Sequence, residues 1–147
     1  MTTPASPISS ADRIPHILKT MRTIAVVGLS PSTHRVSYGV SRYMQSQGYR
    51  IIPVNPNAAE VLGEKAYATL AEAAQHEQID LVNCFRNSED IPPVVEEAIA
   101  IGAKAVWMQL GISNPSAAAR AEAAGLLVVQ DHCIKVDHTV LHSQGVL

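Results

Sequence analysis

A chain of 147 residues, 47% of them hydrophobic and only 4% aromatic, has the length and composition for one domain with a core of Ala, Val, Ile and Leu. A formal net charge of -2 and the scatter of the 11 basic residues argue against a nucleic-acid surface and against a membrane-binding face. No apolar run reaches the roughly 18 residues that span a bilayer. The opening MTTPASPISSAD has no leader pattern, and Cys84 and Cys133 make no disulfide framework, so a cytoplasmic protein with reduced thiols is expected.

In chain order, residues 1–12 read as a flexible tail and residues 13–147 as one domain. Asp12 is placed to cap a first helix running to about Arg22, with Ile14, Ile17, Leu18 and Met21 on one face. The run Ile24-Ala25-Val26-Val27 is short and partly β-branched, as a parallel strand buried on both faces should be, and it stops at Gly28. A helix follows from about Val36 to Gln47, closed by Gly48, and then a strand from Tyr49 to Val54 that ends at the turn Asn55-Pro56-Asn57. An extended piece at Ala66-Tyr67 leads to a helix over Thr69 to His76, capped by Thr69.

A strand over Leu81 to Phe85 precedes a helix from Ile91 to Ile101 with prolines in its first turn, where missing amide donors cost least. Gly102 ends that helix. A buried strand over Ala105 to Leu110, a helix over Pro115 to Ala124 capped by Asn114, the stop at Gly125 and a last strand over Leu126 to Gln130 complete the pattern. Strands alternating with helices predict an α/β domain: a Rossmann-like, doubly wound, mainly parallel sheet in one three-layer unit. Ligands of such sheets collect at the carboxyl ends of the strands, which directs attention to the residues after Val27, Val54, Phe85 and Gln109.

After the first strand, Gly28 allows the backbone to turn close to a ligand, and Ser30, Ser32, Thr33 and Ser37 offer hydroxyls before a helix start whose free amides suit a phosphate. The spacing is not G-x-G-x-x-G, and a simple strand-to-helix connection is the competing reading. Arg35 could meet phosphate as a bidentate fork or stand as a solvated arginine. After the second strand, Asn55-Pro56 occupies the place where NAD enzymes carry an acid for the ribose diol. Phe85 and Arg86 at the next strand end could stack on or pair with a nucleotide, or simply pack. Trp107, Met108 and Gln109 with Leu110-Gly111 read as a rim suited to a flexible apolar arm, with a core tryptophan as the alternative. The His-rich end from Asp131 to His142 matches no structural zinc spacing; no metal site and no catalytic constellation are expected, and His138 and His142 are read as sharing one exposed helical face.

Read together, these blocks resemble the CoA-binding domain family, specifically its small stand-alone members related to the N-terminal domain of the succinyl-CoA synthetase α subunit. The matching residues are Ile24 to Ser30, including Gly28, Leu29 and Ser30; Arg35 with Ser37-Tyr38; Val54-Asn55-Pro56; Phe85-Arg86; Val106 to Gln109 with Gly111; and Gly125-Leu126 with Asp131 and Cys133. The resemblance covers about Pro15 to Val136 and implies a Rossmann-like fold binding coenzyme A. The ADP part would lie over the first loop and second strand end, with pantetheine running toward Trp107. A synthetase has a further ligase domain with a phosphorylated histidine, and this chain ends before such a domain could begin. A non-catalytic binder of CoA or acyl-CoA is therefore expected, with room for a protein partner or a homo-oligomer. The alternative is an enzyme or enzyme subunit acting on acyl-CoA or using NAD, with chemistry supplied partly by a partner.

Overall fold

The computed structural model describes residues 8–147. The apolar segments that alternate with amphipathic ones form a parallel sheet of β1 (Thr23–Val27), β2 (Arg50–Val54), β5 (Leu81–Cys84), β6 (Ala105–Met108) and β7 (Leu127–Val129), in the spatial order β2-β1-β5-β6-β7. A two-residue antiparallel hairpin, β3 (Glu60–Val61) and β4 (Glu64–Lys65), lies outside this sheet. The helices are α1 (Ser10–Thr20), α2 (Val36–Ser46), α3 (Leu70–Ala74), α4 (Ile91–Ala100), α5 (Pro115–Ala123) and α6 (Ile134–Ser143).

Every strand but the two end ones is flanked on both sides, so its residues are buried whichever way they point, and period two divides them between two cores. Ile24, Val26, Ile51, Leu81, Ala105 and Trp107 join residues of α1, α2 and α6, among them Ile17, Met44 and Ile134. Ala25, Ile52, Val82, Cys84, Val106 and Met108 join α3, α4 and α5 through Leu70, Val95 and Ala118. This is the predicted doubly wound three-layer α/β domain.

Most predicted elements stand where periodicity and caps put them. Thr69 caps α3 by accepting from the Glu72 amide at 3.1 Å, and Asn114 caps α5 by accepting from the Ala117 amide at 3.1 Å. The Ala66-Tyr67 piece makes a parallel bridge from Tyr67 to Val54 on the outer edge of β2. Two corrections concern the ends of the chain. The first helix starts at Ser10, because Ser9 accepts from the Asp12 amide at 3.2 Å and donates to its carboxylate at 2.9 Å, leaving Asp12 in the first turn and not at the cap. Residues 1–7 of the expected tail lie outside the described residues. Helix α6 begins at Cys133 without a side-chain cap bond, so no cap announces it, and it buries His138 instead of exposing it.

Asp80 ties the amino-terminal edge of the sheet together. Its carboxylate accepts from the Arg22 and Thr23 amides at 3.1 Å each and pairs with Lys104 at 3.3 Å. Burial by itself would raise the Asp80 pKa, but the two amides and Lys104 outweigh it and hold the carboxyl below its ordinary value. A depressed carboxylate pKa stabilises the fold above the unfolded-state pKa of about 3.9, and that contribution disappears as pH falls through the folded-state value. Asp80→Asn should therefore lower stability by about 1 to 3 kcal/mol at neutral pH. Urea unfolding of the two proteins across pH should show the gap closing below about pH 4; a gap independent of pH would show that the charge of Asp80 contributes nothing.

Candidate functional site

The strand order reverses direction between β1 and β5: the chain steps from β1 outward to β2, then returns to the other side of β1 for β5, β6 and β7. At such a switch point the loops leaving the two central strands diverge and open a crevice. Here the crevice is an open cleft of about 530 Å³, lined by Gly28 and Ser30 after β1, by His34, Arg35, Val36 and Ser37 at the start of α2, and by Phe85 after β5.

Gly28 is dictated by the closeness of these two loops. It has φ +88°, and a Cβ there would lie 2.7 Å from the Phe85 carbonyl oxygen, a distance that no real side chain tolerates. Its amide donates to Val54 at 2.9 Å, and the Phe85 amide donates to Val27 at 2.9 Å, so both loops leave the sheet in register. The polar residues that follow fold the loop back on itself. Ser37 Oγ accepts from the Ser30 amide at 3.1 Å, and Ser30 Oγ accepts from the Ser32 amide at 3.1 Å.

Helix α2 starts without a side-chain cap, has no acid in its first turn, and leaves the Val36 and Ser37 amides without a partner among the described residues. Uncapped amides at a helix start carry the positive end of the macrodipole, and Arg35 and His34 add basic groups beside them. No carboxylate lines the cleft among the described residues. The arrangement fits an anionic, phosphate-bearing ligand and fits the ADP part of coenzyme A: a glycine cradle that a Cβ would fill, free amides and a guanidinium.

The predicted site residues separate into three groups. Gly28, Ser30, Arg35, Ser37 and Phe85 converge on the cleft. Braces form the second group. Asn55 donates to the Leu29 carbonyl at 2.9 Å and accepts from the Asn57 amide at 2.9 Å, pinning the glycine loop to the turn that carries exposed Pro56. Leu29 itself is fully buried, and Tyr38 packs partly buried against the core beneath α2. Gly111, with φ +85°, donates to Asp131 at 2.6 Å and locks the loop after β6 to the loop after β7. Arg86 is exposed one residue beyond Phe85.

The third group corrects the expected rim. Trp107 and Met108 are 0% exposed and Gln109 is 3% exposed, so their side chains present no surface in this structure. Trp107 points into the α1, α2 and α6 layer, where its indole N–H donates to the His132 carbonyl at 2.8 Å. Gln109 donates to Asn83 at 2.6 Å and accepts from the Ile134 amide at 3.4 Å. The apolar residue that does reach the surface after β6 is Leu110, which is 70% exposed. The sequence pattern places it inside the strand, but the strand ends at Met108, two residues before it. Val36, which the sequence pattern does not single out as a lining residue, is 72% exposed at the first position of α2.

Other reactive groups are few. Burial pushes the Cys84 thiol up to about 12, which makes it inert. His132 is half-exposed at the end of β7, with Nδ1 3.0 Å from Asp137 Oδ2. No group of three or more His, Cys, Asp or Glu converges as a metal site among the described residues, and no described helix is long and apolar enough to cross a membrane.

Comparison with known proteins agrees with this geometry. A family model described as a CoA binding domain matches residues 22–139. The uncharacterized protein YneT of Bacillus subtilis is 45% identical over 131 residues, covering 89% of this chain and 96% of that one. An ADP-forming acetate–CoA ligase of Methanocaldococcus jannaschii is 28% identical over 94 residues, 63% of this chain but only 13% of the ligase. A solved structure of a hypothetical protein from Pyrococcus horikoshii superimposes with a TM-score of 0.86 at 34% identity, covering 96% of this chain and 99% of the other. A match across the switch-point cleft and the whole sheet, shared with a relative that the chain covers almost from end to end, means that the chain belongs to the CoA-binding domain family.

Proposed function

We propose that this protein binds coenzyme A or an acyl-CoA at the β1–β5 switch point, as a non-catalytic carrier, sensor or regulatory module of the cytoplasm. The observation that carries the reading is the uncapped start of α2, whose free Val36 and Ser37 amides face a cleft with Arg35 and no carboxylate. The diphosphate rests against those amides, Gly28 leaves room for its close approach, and Arg35 pairs with phosphate oxygens. Asn55 at the second strand end carries no charge to hold a ribose diol, which disfavours NAD and tolerates a phosphorylated ribose. Membership of a family described as CoA binding, and the partial likeness to a CoA ligase, support the same ligand.

The pantetheine arm takes a different course from the one expected at Trp107. The ends of β1, β5 and β6 stand side by side, and each strand adds about 4.8 Å. An arm leaving the cleft over half-buried Phe85 reaches exposed Leu110 next, and these two supply its apolar contact. Arg86 stands free beside that path to meet a ligand phosphate.

A second reading, thioester chemistry, is favoured by one observation. Asp137 holds His132 through Nδ1, which leaves Nε2 as the free nitrogen of an oriented imidazole two strands beyond Phe85. Hydrolysis of acetyl-CoA or succinyl-CoA by the purified protein distinguishes the readings. The binding module should show none above background, whereas turnover abolished in His132→Gln would make the protein a thioesterase.

CoA at about a hundredfold its Kd should stabilise the protein by about 2.7 kcal/mol, read as a rise in Tm, because only the folded state binds it. NAD at the same concentration should give a much smaller rise, and equal shifts would contradict the assigned preference. Arg35→Ala should weaken CoA and ADP alike by roughly 1.5 to 3 kcal/mol and leave an affinity less sensitive to salt. Leu110→Ser, at an exposed position that folding does not require, should weaken CoA by about 1 kcal/mol and spare ADP, which lacks the arm. Calorimetric titrations of both variants with both ligands decide this. Unchanged CoA affinity in Arg35→Ala would remove the phosphate assignment, and weaker ADP binding in Leu110→Ser would move the arm elsewhere.

A further inference from the structure

A second cleft, of about 380 Å³, lies at the opposite end of the sheet, among the end of α1, the turns that enter β1 and β2, and the outer half of α6. Its polar lining consists of Lys19, Arg22, Gln47, Tyr49, His138 and His142, with no Asp or Glu side chain among the described residues; Leu147, which carries the terminal carboxylate, also lines it. Nothing in the CoA reading uses these groups.

The nitrogens here are unusually short of partners. The side chains of Lys19, Arg22 and His142 make no hydrogen bond and no ion pair with other described residues; Arg22 only lies over the Tyr49 ring, 5.2 Å from its centroid. His138 is 4% exposed and lines the cleft. Its Nδ1 is 2.8 Å from the Tyr43 hydroxyl, while Nε2 has no partner among the described residues. The His142 ring stacks on it with centroids 5.9 Å apart.

Helix ends attract basic residues, and Lys19 and His142 lie in the last turns of α1 and α6. That attraction is already largely answered by the backbone. The Ile17 carbonyl takes the Met21 amide, the Leu18 carbonyl takes the Tyr49 hydroxyl at 2.5 Å, and the Leu141 carbonyl takes the Val146 amide at 2.9 Å. Asp80, whose carboxylate accepts from the Arg22 amide, is held by backbone amides and Lys104 and does not line the cleft. Two permanent cations, two imidazoles and an amide therefore line one space with donors to spare, and the one anionic group on the lining residues, the terminal carboxylate of Leu147, forms an ion pair with none of them.

We propose that this cleft is a binding site for a small oxyanion, a carboxylate or phosphoryl group on a compact molecule, separate from the switch-point cleft and independent of whether that cleft binds CoA. The oxyanion sits between Arg22 and Lys19, accepts from His142 and the Gln47 amide, and takes a hydrogen bond from Nε2 of His138. Burial first, and then the positive charges of His142 and Arg22, hold the His138 pKa below its ordinary value. A bound anion reverses the electrostatic part of that effect, so its affinity rises as pH falls through the titration of His138. The groups facing His138 are Tyr43 from α2, Tyr49 before β2, Lys19 and Arg22 from the α1–β1 junction, His142 from its own helix and, among the lining residues, Leu147 with the terminal carboxylate, the single acidic group of the set.

Histidine ring signals read this site directly, with His34 in the other cleft as an internal comparison. Inorganic phosphate and succinate are titrated separately at fixed pH, with sodium chloride matched in ionic strength as the control. The expected result is a saturable shift of the His138 and His142 signals by at least one anion and not by chloride, with the His138 pKa moving upward in its presence. Saturation by phosphate alone identifies a phosphoryl ligand, and saturation by succinate alone a carboxylate. Arg22→Gln and Lys19→Gln, both at exposed positions, should each weaken that binding about two- to fivefold. Shifts no larger than those in chloride, or binding unchanged in the two variants combined, would overturn the proposal.

Discussion

Gly28 and the Phe85 carbonyl approach each other more closely than any side chain allows, and the carboxyl end of the sheet is arranged around that contact. Parallel pairing of β1 with β5 brings the two loops side by side, and the reversal of strand order forces them apart immediately afterward. The result is a crevice whose floor is bare backbone. A methyl group at Gly28 would meet the Phe85 carbonyl and require a left-handed conformation that L-residues rarely adopt, so both the register of the loops and access to the α2 amides depend on its absence.

Several polar residues that look like ligand contacts in the sequence serve to hold this crevice in shape. Asn55 joins the turn after β2 to the Leu29 carbonyl, Asp131 holds the Gly111 amide, and Gln109 joins Asn83 to the start of α6. Each is buried or nearly so, or saturates a loop amide that would otherwise lack a partner. An unpaired buried amide costs about 1 to 3 kcal/mol, so these side chains are as constrained as any that touches a ligand. Family resemblance cannot separate the two kinds of constraint, because both demand the same residue at the same place.

The two ends of the sheet have opposite characters. At the carboxyl ends of the strands, helix α2 presents unused amides and a loop built from serines. At the amino ends, the last turns of α1 and α6 and the end of α2 come together with basic side chains among them. The same winding rule produces both, since every helix that starts above the sheet must finish below it. Helices α2 and α6 run between the two ends and are joined midway by the Tyr43–His138 hydrogen bond.

The strands were legible from apolar runs such as Ile24 to Val27, and the caps of α3 and α5 from Thr69 and Asn114, because these are local rules that operate within a few residues. That Gly28, Arg35 and Ser37 line one cleft was legible because a strand followed by a glycine and a helix start is also a local pattern. Burial at the strand ends was not local. Whether Trp107 or Leu110 reaches the surface depends on where β6 stops and on the loop before α6 folding over the rim, where the His132 carbonyl accepts the indole proton, and no short stretch of sequence records either fact. The start of helix α6 and the burial of its His138 escape the sequence for the same reason: the helix begins without a side-chain cap, and packing against α1 and α2 holds it in place. Sequence by itself determined the order of elements, the doubly wound class and the glycine loop. Only the tertiary structure decided which side chains at the strand ends are surface and which are core, because that depends on what a distant segment covers.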